Sequence, residues 1–444
     1  MASSYLNRTQ GTPTSRKTFT YSAWIKISEL NVYNILFESA SGSHNSQMLI
    51  QNDGNGNDFR VYDYDGSTNL NLRTSQAFRD VSAWYHIVLA VDTTQATASN
   101  RAKLYVNGEQ VTSFSATTYP SQNYDTAFAN GVNMQIGRQQ SASDYFNGLM
   151  THIHFIDGTA YDADTFGEID STTGIWIAKT SPSVTYGTNG FFLKGENSGA
   201  LGTDSSGNAN NFTVNGTPTQ TIDTPSNVFC TGNPLYKYGY NLTLSNGNTS
   251  FAGTQNQWQG TNGTLAISKG KYYYEAKFTS ATDKQHFNIG FMGAEDYNTS
   301  DATRNLVGFY NNDGGEIIVA DATNTTATTA NYGTFDNGDI MGVALDYDNE
   351  LISFYKNGNA LVTDFNYGAS TYPSTLTDGK FISPVVATYA SGSVSLNFGN
   401  GFFGTTAVAS AGTSTSGDAS IWEYDCPDGY YGLNTKNINA QEYS

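Results

Sequence analysis

Few residues of the sequence have the types and the spacing that catalysis needs. Glu168 and Asp170 are two positions apart, so on a strand both carboxylates would project from one face, as hydrolysis of a glycosidic bond requires. Turn-forming residues surround them, and Thr173 stands where a further acid would complete an E-x-D-x-x-E pattern. No G-x-S-x-G segment that could present a nucleophilic serine occurs. The sequence therefore predicts a protein that is not an enzyme, with glycan degradation as the weakest alternative.

Two segments carry side chains that could bind a metal ion. His152 and His154 lie on one predicted strand, but two imidazoles alone do not make a metal site. The segment 51–59, QNDGNGNDF, offers hard oxygen atoms on a tight loop, which Ca²⁺ prefers. It departs from the EF-hand pattern, because an aspartate replaces the turn glycine, and a polar hairpin tip is the alternative. The candidate ligands of a structural calcium are Asp53, Asn55, Asn57 and Asp58.

Aromatic residues indicate a different chemistry, the stacking of rings on sugars. The chain has 30 Tyr and 5 Trp, and their flat apolar faces suit the apolar faces of pyranose rings. For any single tyrosine, a structural role on a half-exposed sheet is the alternative. The candidate ligand-binding residues in predicted loops are Tyr119, Tyr124, Trp258, Glu295, Asp296, Tyr297 and Tyr310.

Composition favours strands and argues against several classes of partner. Charged residues make up 14% of the 444 residues, well below the usual quarter, whereas Gly (45) and aromatic residues are abundant. A net charge of −18 repels phosphate backbones, so we expect no nucleic-acid partner. No apolar run is long enough to predict a signal peptide or a membrane span.

The elements that must position these candidates are strands. Residues 18–27 alternate apolar and polar positions, whereas residues 84–92 form a longer apolar run. The pattern of residues 338–362 predicts three strands separated by turns. Asn107-Gly108 and Asn357-Gly358 are the dipeptides that best suit tight hairpins. Turn signals recur every 8 to 12 residues in the manner of sandwiches. The predicted fold is all-β, with two antiparallel, jelly-roll-like β-sandwiches.

Domain boundaries follow from shifts in this pattern. We expect a first sandwich over 1–160, an ordered, loop-rich connector over 161–235, a second sandwich over 236–405 and a tail over 406–444. The connector contains apolar islands that a flexible linker would lack, so it should pack against a sandwich.

The first block resembles the laminin-G/concanavalin-A-like sandwich family. The resemblance is carried by FTYSAWIKI, SAWYHIVLAVD, KLYVNGEQV, IGRQ and YFNGLMTHIHFID, in this order over about 140 residues. It implies a sandwich that often binds Ca²⁺ at a rim loop. The family includes glucanases, whose E-x-D-x-x-E pattern is broken here at Thr173.

The second block resembles a SPRY domain. Its characteristic segments are GKYYYEAKF, NGDIMGVALDYDNELISFYKNGNAL and ISPVVATYASGSVSLNFGN. The resemblance implies a bent sandwich that recognises partners through surface loops and has no catalysis of its own.

The connector and the tail are similar to segments of virion structural proteins of marine tailed phages. These segments include FGEIDSTTGIWIAK, DSSGNANNFT, IDTPSNVF and GYYGLNTKNIN. The resemblance implies a virion surface protein made in the bacterial cytoplasm, with other virion proteins as partners.

We therefore expect a tail fibre or receptor-binding adhesin that binds host-surface glycan or another envelope component. A homo-oligomer, in particular a homotrimer, is expected. A capsid decoration protein is the first alternative.

Overall fold

A computed structural model shows a chain whose regular secondary structure is almost entirely β-strand. It describes all residues except 1–3, 43, 52–55, 129–131, 141–143, 172–173, 239–241, 255–256, 282–286, 295–304, 313, 322–324, 329, 373–375, 377–379, 390, 410, 413–419 and 443–444. The chain divides into an N-terminal unit, residues 1–220 and 224–226, and a C-terminal unit, residues 221–223 and 227–444. No helix of the described residues is long and apolar enough to cross a membrane.

The N-terminal unit is a sandwich of an eight-stranded and a six-stranded antiparallel sheet. The strand orders are β10-β6-β5-β4-β3-β11-β1-β16 and β15-β12-β2-β7-β8-β9, and β13 and β14 form a separate hairpin. Its strands are β1 (Tyr5–Thr9), β2 (Thr18–Ile27), β3 (Asn34–Ser41), β4 (His44–Gln51), β5 (Asp58–Tyr64), β6 (Thr68–Ala77), β7 (Tyr85–Asp92), β8 (Ala102–Val106), β9 (Glu109–Gln110), β10 (Phe114–Thr118), β11 (Asn133–Ile136), β12 (Gly148–Asp157), β13 (Gly167–Ile169), β14 (Trp176–Ala178), β15 (Phe191–Leu193) and β16 (Thr213–Asn215).

The core of this unit follows from the alternation of its strands. In β2, every second side chain from Phe19 to Ile27 is completely buried between the sheets, because successive side chains of a strand point to opposite faces. The β8–β9 hairpin turns at Asn107 and Gly108, which both have positive φ (49° and 87°) as the predicted tight turn requires.

Residues 160–215 belong to this sandwich. The island Phe191–Leu193 extends the six-stranded sheet by pairing with β12, and Thr213–Asn215 extends the eight-stranded sheet by pairing with β1. Before these two strands, Phe166, Trp176 and Tyr186 pack on the outer face of the six-stranded sheet. That face is therefore covered by the chain that follows the last long strand.

The C-terminal unit is a second antiparallel sandwich, with sheets of seven and eight strands. Their orders are β17-β20-β29-β22-β23-β24-β25 and β18-β19-β30-β21-β26-β27-β28, with β33 parallel to β21. The elements are β17 (Gly232–Tyr238), β18 (Thr243–Ser245), β19 (Ser250–Gly253), β20 (Gln259–Gly263), β21 (Lys271–Ala281), β22 (Phe287–Gly293), β23 (Leu306–Tyr310), β24 (Glu316–Ala320), β25 (Thr325–Ala327), β26 (Ile340–Asp346), β27 (Leu351–Lys356), β28 (Asn359–Asn366), β29 (Ile382–Thr388), β30 (Gly392–Asn397), β31 (Phe402–Phe403), β32 (Thr406–Ala407), β33 (Tyr431–Gly432) and α1 (Thr435–Glu442).

The end of the chain is built into this second sandwich. Trp422, Cys426 and Tyr430 pack on Tyr273 and Ala344, on the outer face of the eight-stranded sheet. The buried carboxylate of Glu275 accepts hydrogen bonds from the backbone N–H groups of Glu423 and Tyr424, both at 2.9 Å. As in the N-terminal unit, a segment from late in the unit therefore covers the outer face of one sheet.

Candidate functional site

The two tyrosines predicted in the N-terminal unit serve packing. The hydroxyl of Tyr124 lies 2.8 Å from the carboxylate of Asp63 and 3.2 Å from that of Asp65. Burial, followed by these two negative charges, raises the pKa of Tyr124 far above its ordinary value. Tyr119 is half-buried against the core. Both side chains therefore make contacts within the fold of the N-terminal unit.

The predicted calcium loop is described only in part. Asp53 and Asn55 lie outside the described residues. Asn57 exchanges side-chain and backbone hydrogen bonds with Asn31, and the carboxylate of Asp58 forms an ion pair with Arg73 at 2.6 Å. The guanidinium of Arg73 would therefore compete with a metal cation for the carboxylate of Asp58. Among the described residues, no group of three His, Cys, Asp or Glu side chains could hold a metal ion.

Chelation of divalent cations should leave the stability of the chain unchanged. The reason is that Asp58, the one described carboxylate of the loop, is neutralised by Arg73. The measurement is the Tm with excess EGTA and with added CaCl₂, with MgCl₂ as the control. A Tm that rises with calcium alone would contradict this expectation, because a ligand bound only by the native state must stabilise it.

A buried histidine pairs with a serine in the N-terminal unit, but the pair cannot act as nucleophile and base. Nε2 of His86 lies 2.9 Å from Oγ of Ser22, and both residues are fully buried. The indole N–H of Trp176 donates to Nδ1 of His86 at 3.0 Å. Since an indole only donates, Nδ1 must be the unprotonated nitrogen and Nε2 must carry the proton. His86 therefore donates to Ser22 and cannot remove its proton.

The other candidate reactive groups also lack a catalytic arrangement. His152 sits at a β-bulge with φ +48°, whereas His154 is buried, with Nδ1 3.0 Å from the hydroxyl of Tyr186. Glu168 is exposed on the short strand β13, and Thr173 lies outside the described residues.

In the C-terminal unit, the structure brings two predicted aromatic residues together. The ring centroids of Trp258 and Tyr310 are 5.9 Å apart, and Tyr389 lies 5.9 Å from Trp258 on the other side. Trp258 and Tyr310 are half-buried against an apolar cluster on the outer face of the seven-stranded sheet, and Tyr389 is 37% exposed. Glu295, Asp296 and Tyr297 lie outside the described residues.

A buried asparagine lies beside these rings. In strand register, Asn288 of β22 stands between Tyr310 of β23 and Ala387 of β29. Its side chain is 1% exposed, yet neither its amide nitrogen nor its amide oxygen has a hydrogen-bond partner. The amide lies over Gly308, where a Cβ would come within 2.3 Å of its oxygen. A buried amide without partners is costly unless something else completes it.

We name Trp258, Asn288, Tyr310 and Tyr389 the aromatic site. It combines ring faces with one donor and one acceptor, which suits a ligand that has both apolar faces and hydroxyl groups. Sequence reasoning found Trp258 and Tyr310 but missed Asn288. The available signal was a polar residue within the apolar strand HFNIGFM, two positions before Gly290.

Comparison with known proteins supplies the domain types. Residues 2–164 match the concanavalin A-like lectin/glucanases superfamily, and residues 271–401 match the SPRY domain. The chain contains a concanavalin A-like domain followed by a SPRY domain. These matches confirm the two predicted domain types and their order. No curated protein matches the chain.

Solved structures resemble parts of the chain at low identity. The SPRY domain of human HERC1 is 15% identical, with 37% of this chain and 96% of that one covered and a TM-score of 0.30. Domain 4 of AbnA, an arabinanase from Geobacillus stearothermophilus in complex with arabinotriose, is 19% identical over 34% of this chain and 66% of that one, with a TM-score of 0.27. A pentraxin from Limulus polyphemus is 16% identical, with 36% and 71% covered and a TM-score of 0.27.

The domain assignments locate the sites described above. Tyr124, the calcium loop and the His86–Ser22 pair belong to the concanavalin A-like domain. In the SPRY unit, Asn288 and Tyr310 lie inside the matched range, Tyr389 lies near its end and Trp258 precedes it. The aromatic site is therefore part of the SPRY sandwich and lies on its seven-stranded sheet.

Proposed function

We propose that this protein is a non-enzymatic adhesin of a bacteriophage virion surface, and that its aromatic site binds a glycan of the host envelope. The observation that carries the proposal is the unpartnered amide of Asn288, which is in strand register with Tyr310, one of three neighbouring aromatic rings. A sugar offers hydroxyl groups that both donate to and accept from an amide. Its apolar ring face can stack on Trp258 or Tyr310.

The rest of the molecule supports binding without chemistry. Both domain types are β-sandwiches, and a rigid pair of sheets holds a binding surface at small entropic cost. The buried serine of the His86–Ser22 pair faces a proton donor and so is not activated.

The placement on a phage particle rests on the order of segments in the sequence. The segments DSSGNANNFT and GYYGLNTKNIN, which resemble virion proteins, fold into the two sandwiches as covering loops, strands and the C-terminal helix. Many copies on one particle, as in a homotrimeric fibre, would convert weak single sites into strong attachment.

Replacing Trp258 by alanine should weaken binding to host-cell glycan at least about tenfold, which corresponds to about 1.4 kcal/mol. The reason is the loss of the indole ring, which lies 5.9 Å from both Tyr310 and Tyr389 and is the largest ring of the aromatic site. The measurement is binding of the labelled chain to bacterial cells and to an array of immobilised oligosaccharides. Tyr33→Ala is the matched control, because Tyr33 is an exposed aromatic residue (42%) of the other domain.

Three outcomes would count against the proposal. Undiminished binding by Trp258→Ala would show that the aromatic site is not the adhesive surface. Release of reducing sugar from the array by the wild-type chain would show an enzyme. Binding to purified capsids in place of cells would identify a decoration protein.

A further inference from the structure

Two buried histidines of the concanavalin A-like domain lie beneath the segment that covers the outer face of the six-stranded sheet. We name residues 159–188 the covering segment. His86 of β7 is 0% exposed, and His154 of β12 is 1% exposed. Nδ1 of His86 accepts the indole N–H of Trp176 at 3.0 Å, and Nδ1 of His154 lies 3.0 Å from the hydroxyl of Tyr186. Each histidine thus bonds to one aromatic side chain of the covering segment.

Ring contacts bring the same histidines into the packing between sheet and segment. The imidazole of His86 stacks on Trp24 of the sheet at 4.8 Å and on Trp176 of the segment at 6.0 Å between ring centroids. The imidazole of His154 lies 5.1 Å from the ring of Phe166, which also belongs to the segment. The covering segment is therefore attached to the sheet in part through two groups that can take up protons.

The bond between His86 and Trp176 depends on a neutral imidazole. Protonation would place a hydrogen on Nδ1, which would then face the indole N–H, and neither group can accept. A tyrosine hydroxyl can both donate and accept, so the bond between His154 and Tyr186 would survive protonation. The contact between His86 and Trp176 is thus the acid-sensitive one.

The charges that act on these two histidines are basic. His152 acts on both, and Lys194 acts on His154. Strand alternation places two more cations on this face of the sheet, Lys26 and Lys103. Burial, followed by the charge of His152, lowers the pKa of both imidazoles, to about 3 for His86.

The carboxylates of this region act on other groups. Two carboxylates of the covering segment act on Tyr105, and one beyond it acts on His152; they are Asp162, Asp164 and Glu196. Glu168 and Asp170 lie in the β13–β14 hairpin. A buried imidazolium would therefore lie among aromatic rings and basic groups, where contact with water would stabilise it.

We propose that the covering segment is an acid-operated latch, which is closed while His86 accepts the indole N–H of Trp176 and opens when His86 and His154 take up protons. Opening would hydrate the two imidazolium groups and uncover the outer face of the sheet. The core side chains of β2 lie on the opposite face, so the sandwich beneath the latch can stay folded. The inference does not depend on the adhesin proposal.

The expected size of the effect follows from proton uptake. In the open state, His86 would return to its ordinary pKa of 6.5, whereas burial keeps its pKa near 3 in the closed state. A group whose pKa is lowered in the closed state stabilises that state above its ordinary pKa, and the stabilisation is lost as the pH falls. One such histidine should favour opening about 25-fold more at pH 5 than at pH 7.

Hydrogen–deuterium exchange of the full chain at pH 7 and pH 5 tests the latch, with rates corrected for the intrinsic effect of pH. We expect exchange in the covering segment to rise at least about tenfold, while β4 and β5 of the other sheet exchange more slowly than the segment at both pH values. An unchanged covering segment would overturn the inference. Exchange in β4 and β5 as fast as in the segment at pH 5 would also overturn it, because the whole unit would then be unfolding.

Two variants and a control identify the groups that operate the latch. His86→Gln keeps an acceptor for the indole N–H but does not titrate, so the rise between pH 7 and pH 5 should fall at least about fivefold. His44→Gln is the matched control, because His44 is a histidine of β4 in the other sheet, and it should keep the full rise. A full rise in folded His86→Gln, or a reduced rise in His44→Gln, would contradict the latch.

Trp176→Phe tests the same contact from the side of the covering segment, and it decides the question if His86→Gln does not fold. Phenylalanine keeps a ring but removes the N–H that His86 accepts. The loss of one hydrogen bond should speed exchange in the covering segment about fivefold at pH 7. Exchange at the wild-type rate in Trp176→Phe at pH 7 would show that this bond does not hold the segment closed.

Discussion

Replacement of Glu275 by alanine should destabilise the C-terminal unit by at least about 3 kcal/mol, because it removes an acceptor shared by four donors and each buried donor left unpaired costs about 1–3 kcal/mol. The carboxylate accepts two backbone N–H groups of the C-terminal segment, the side-chain amide of Asn397 at 3.0 Å and the hydroxyl of Tyr273 at 3.3 Å. Alanine would remove the acceptor from all four donors, and within the described part of the chain only Asn397 has another partner, the Ile421 carbonyl. We therefore expect residues 420–442 to lose their attachment first.

The measurement is urea unfolding together with limited proteolysis of the C-terminal segment. Glu196→Ala is the matched control, because the Glu196 side chain is 72% exposed and its replacement should cost less than about 0.5 kcal/mol. A Glu275→Ala protein with wild-type stability and a protected C-terminal segment would show that the segment is held by its apolar contacts alone.

Acidification should lower the stability of the N-terminal unit and raise the stability of the C-terminal unit. Burial, aided by the nearby charge of His152, lowers the pKa of His86 from 6.5 to about 3. A group whose folded pKa is depressed contributes stability above its unfolded pKa and loses it as the pH falls. Since the unfolded chain takes up this proton below pH 6.5, the N-terminal unit should lose roughly 3 kcal/mol by pH 4.5.

The titration of Glu275 changes the stability of the C-terminal unit in the opposite direction. Burial raises its pKa from 4.5 to about 7, although the four hydrogen bonds oppose the shift. Its contribution to stability is therefore greatest below pH 4.5 and is lost as the pH rises through about 7. On acidification from pH 7 to pH 4.5, the C-terminal unit should gain stability while the N-terminal unit loses it.

Scanning calorimetry across this pH range is the measurement. We expect the transition of the N-terminal unit to move to lower temperature and that of the C-terminal unit to move to higher temperature. Because a Glu275→Gln chain lacks the titrating carboxyl, it should show only the first shift. If both transitions fall together in the wild-type chain, the opposing roles of His86 and Glu275 would be wrong.

The strands could be predicted because alternation and turn chemistry are local. Residues 18–27 were expected as a strand, and β2 spans Thr18–Ile27 with its alternate side chains in the core. The hairpin at Asn357 and Gly358 was expected for the same reason, and both residues have positive φ.

The covering segments could not be placed from the sequence. The island around Trp176 was expected to pack somewhere, but its contact with His86 joins residues 90 positions apart. Likewise, Glu275 is an ordinary acidic residue until the C-terminal segment folds over it. Contacts of this kind depend on the tertiary structure, which local periodicity does not contain.

Binding residues could be predicted by type but not by grouping. Trp258 and Tyr310 were predicted as aromatic residues of loops, but Tyr310 ends strand β23 and Trp258 directly precedes β20, and only the folded sheet brings their rings within 5.9 Å. Asn288 was missed, because a single polar residue in a strand does not reveal which partners it lacks.

The most direct test of the adhesin account is a crystal structure of the chain soaked with the oligosaccharide that it binds most tightly. The account predicts intact sugar against Trp258 and Tyr310, with a hydroxyl group within hydrogen-bond distance of the Asn288 amide. Sugar bound elsewhere with the aromatic site empty, or a cleaved product beside a carboxylate, would contradict it.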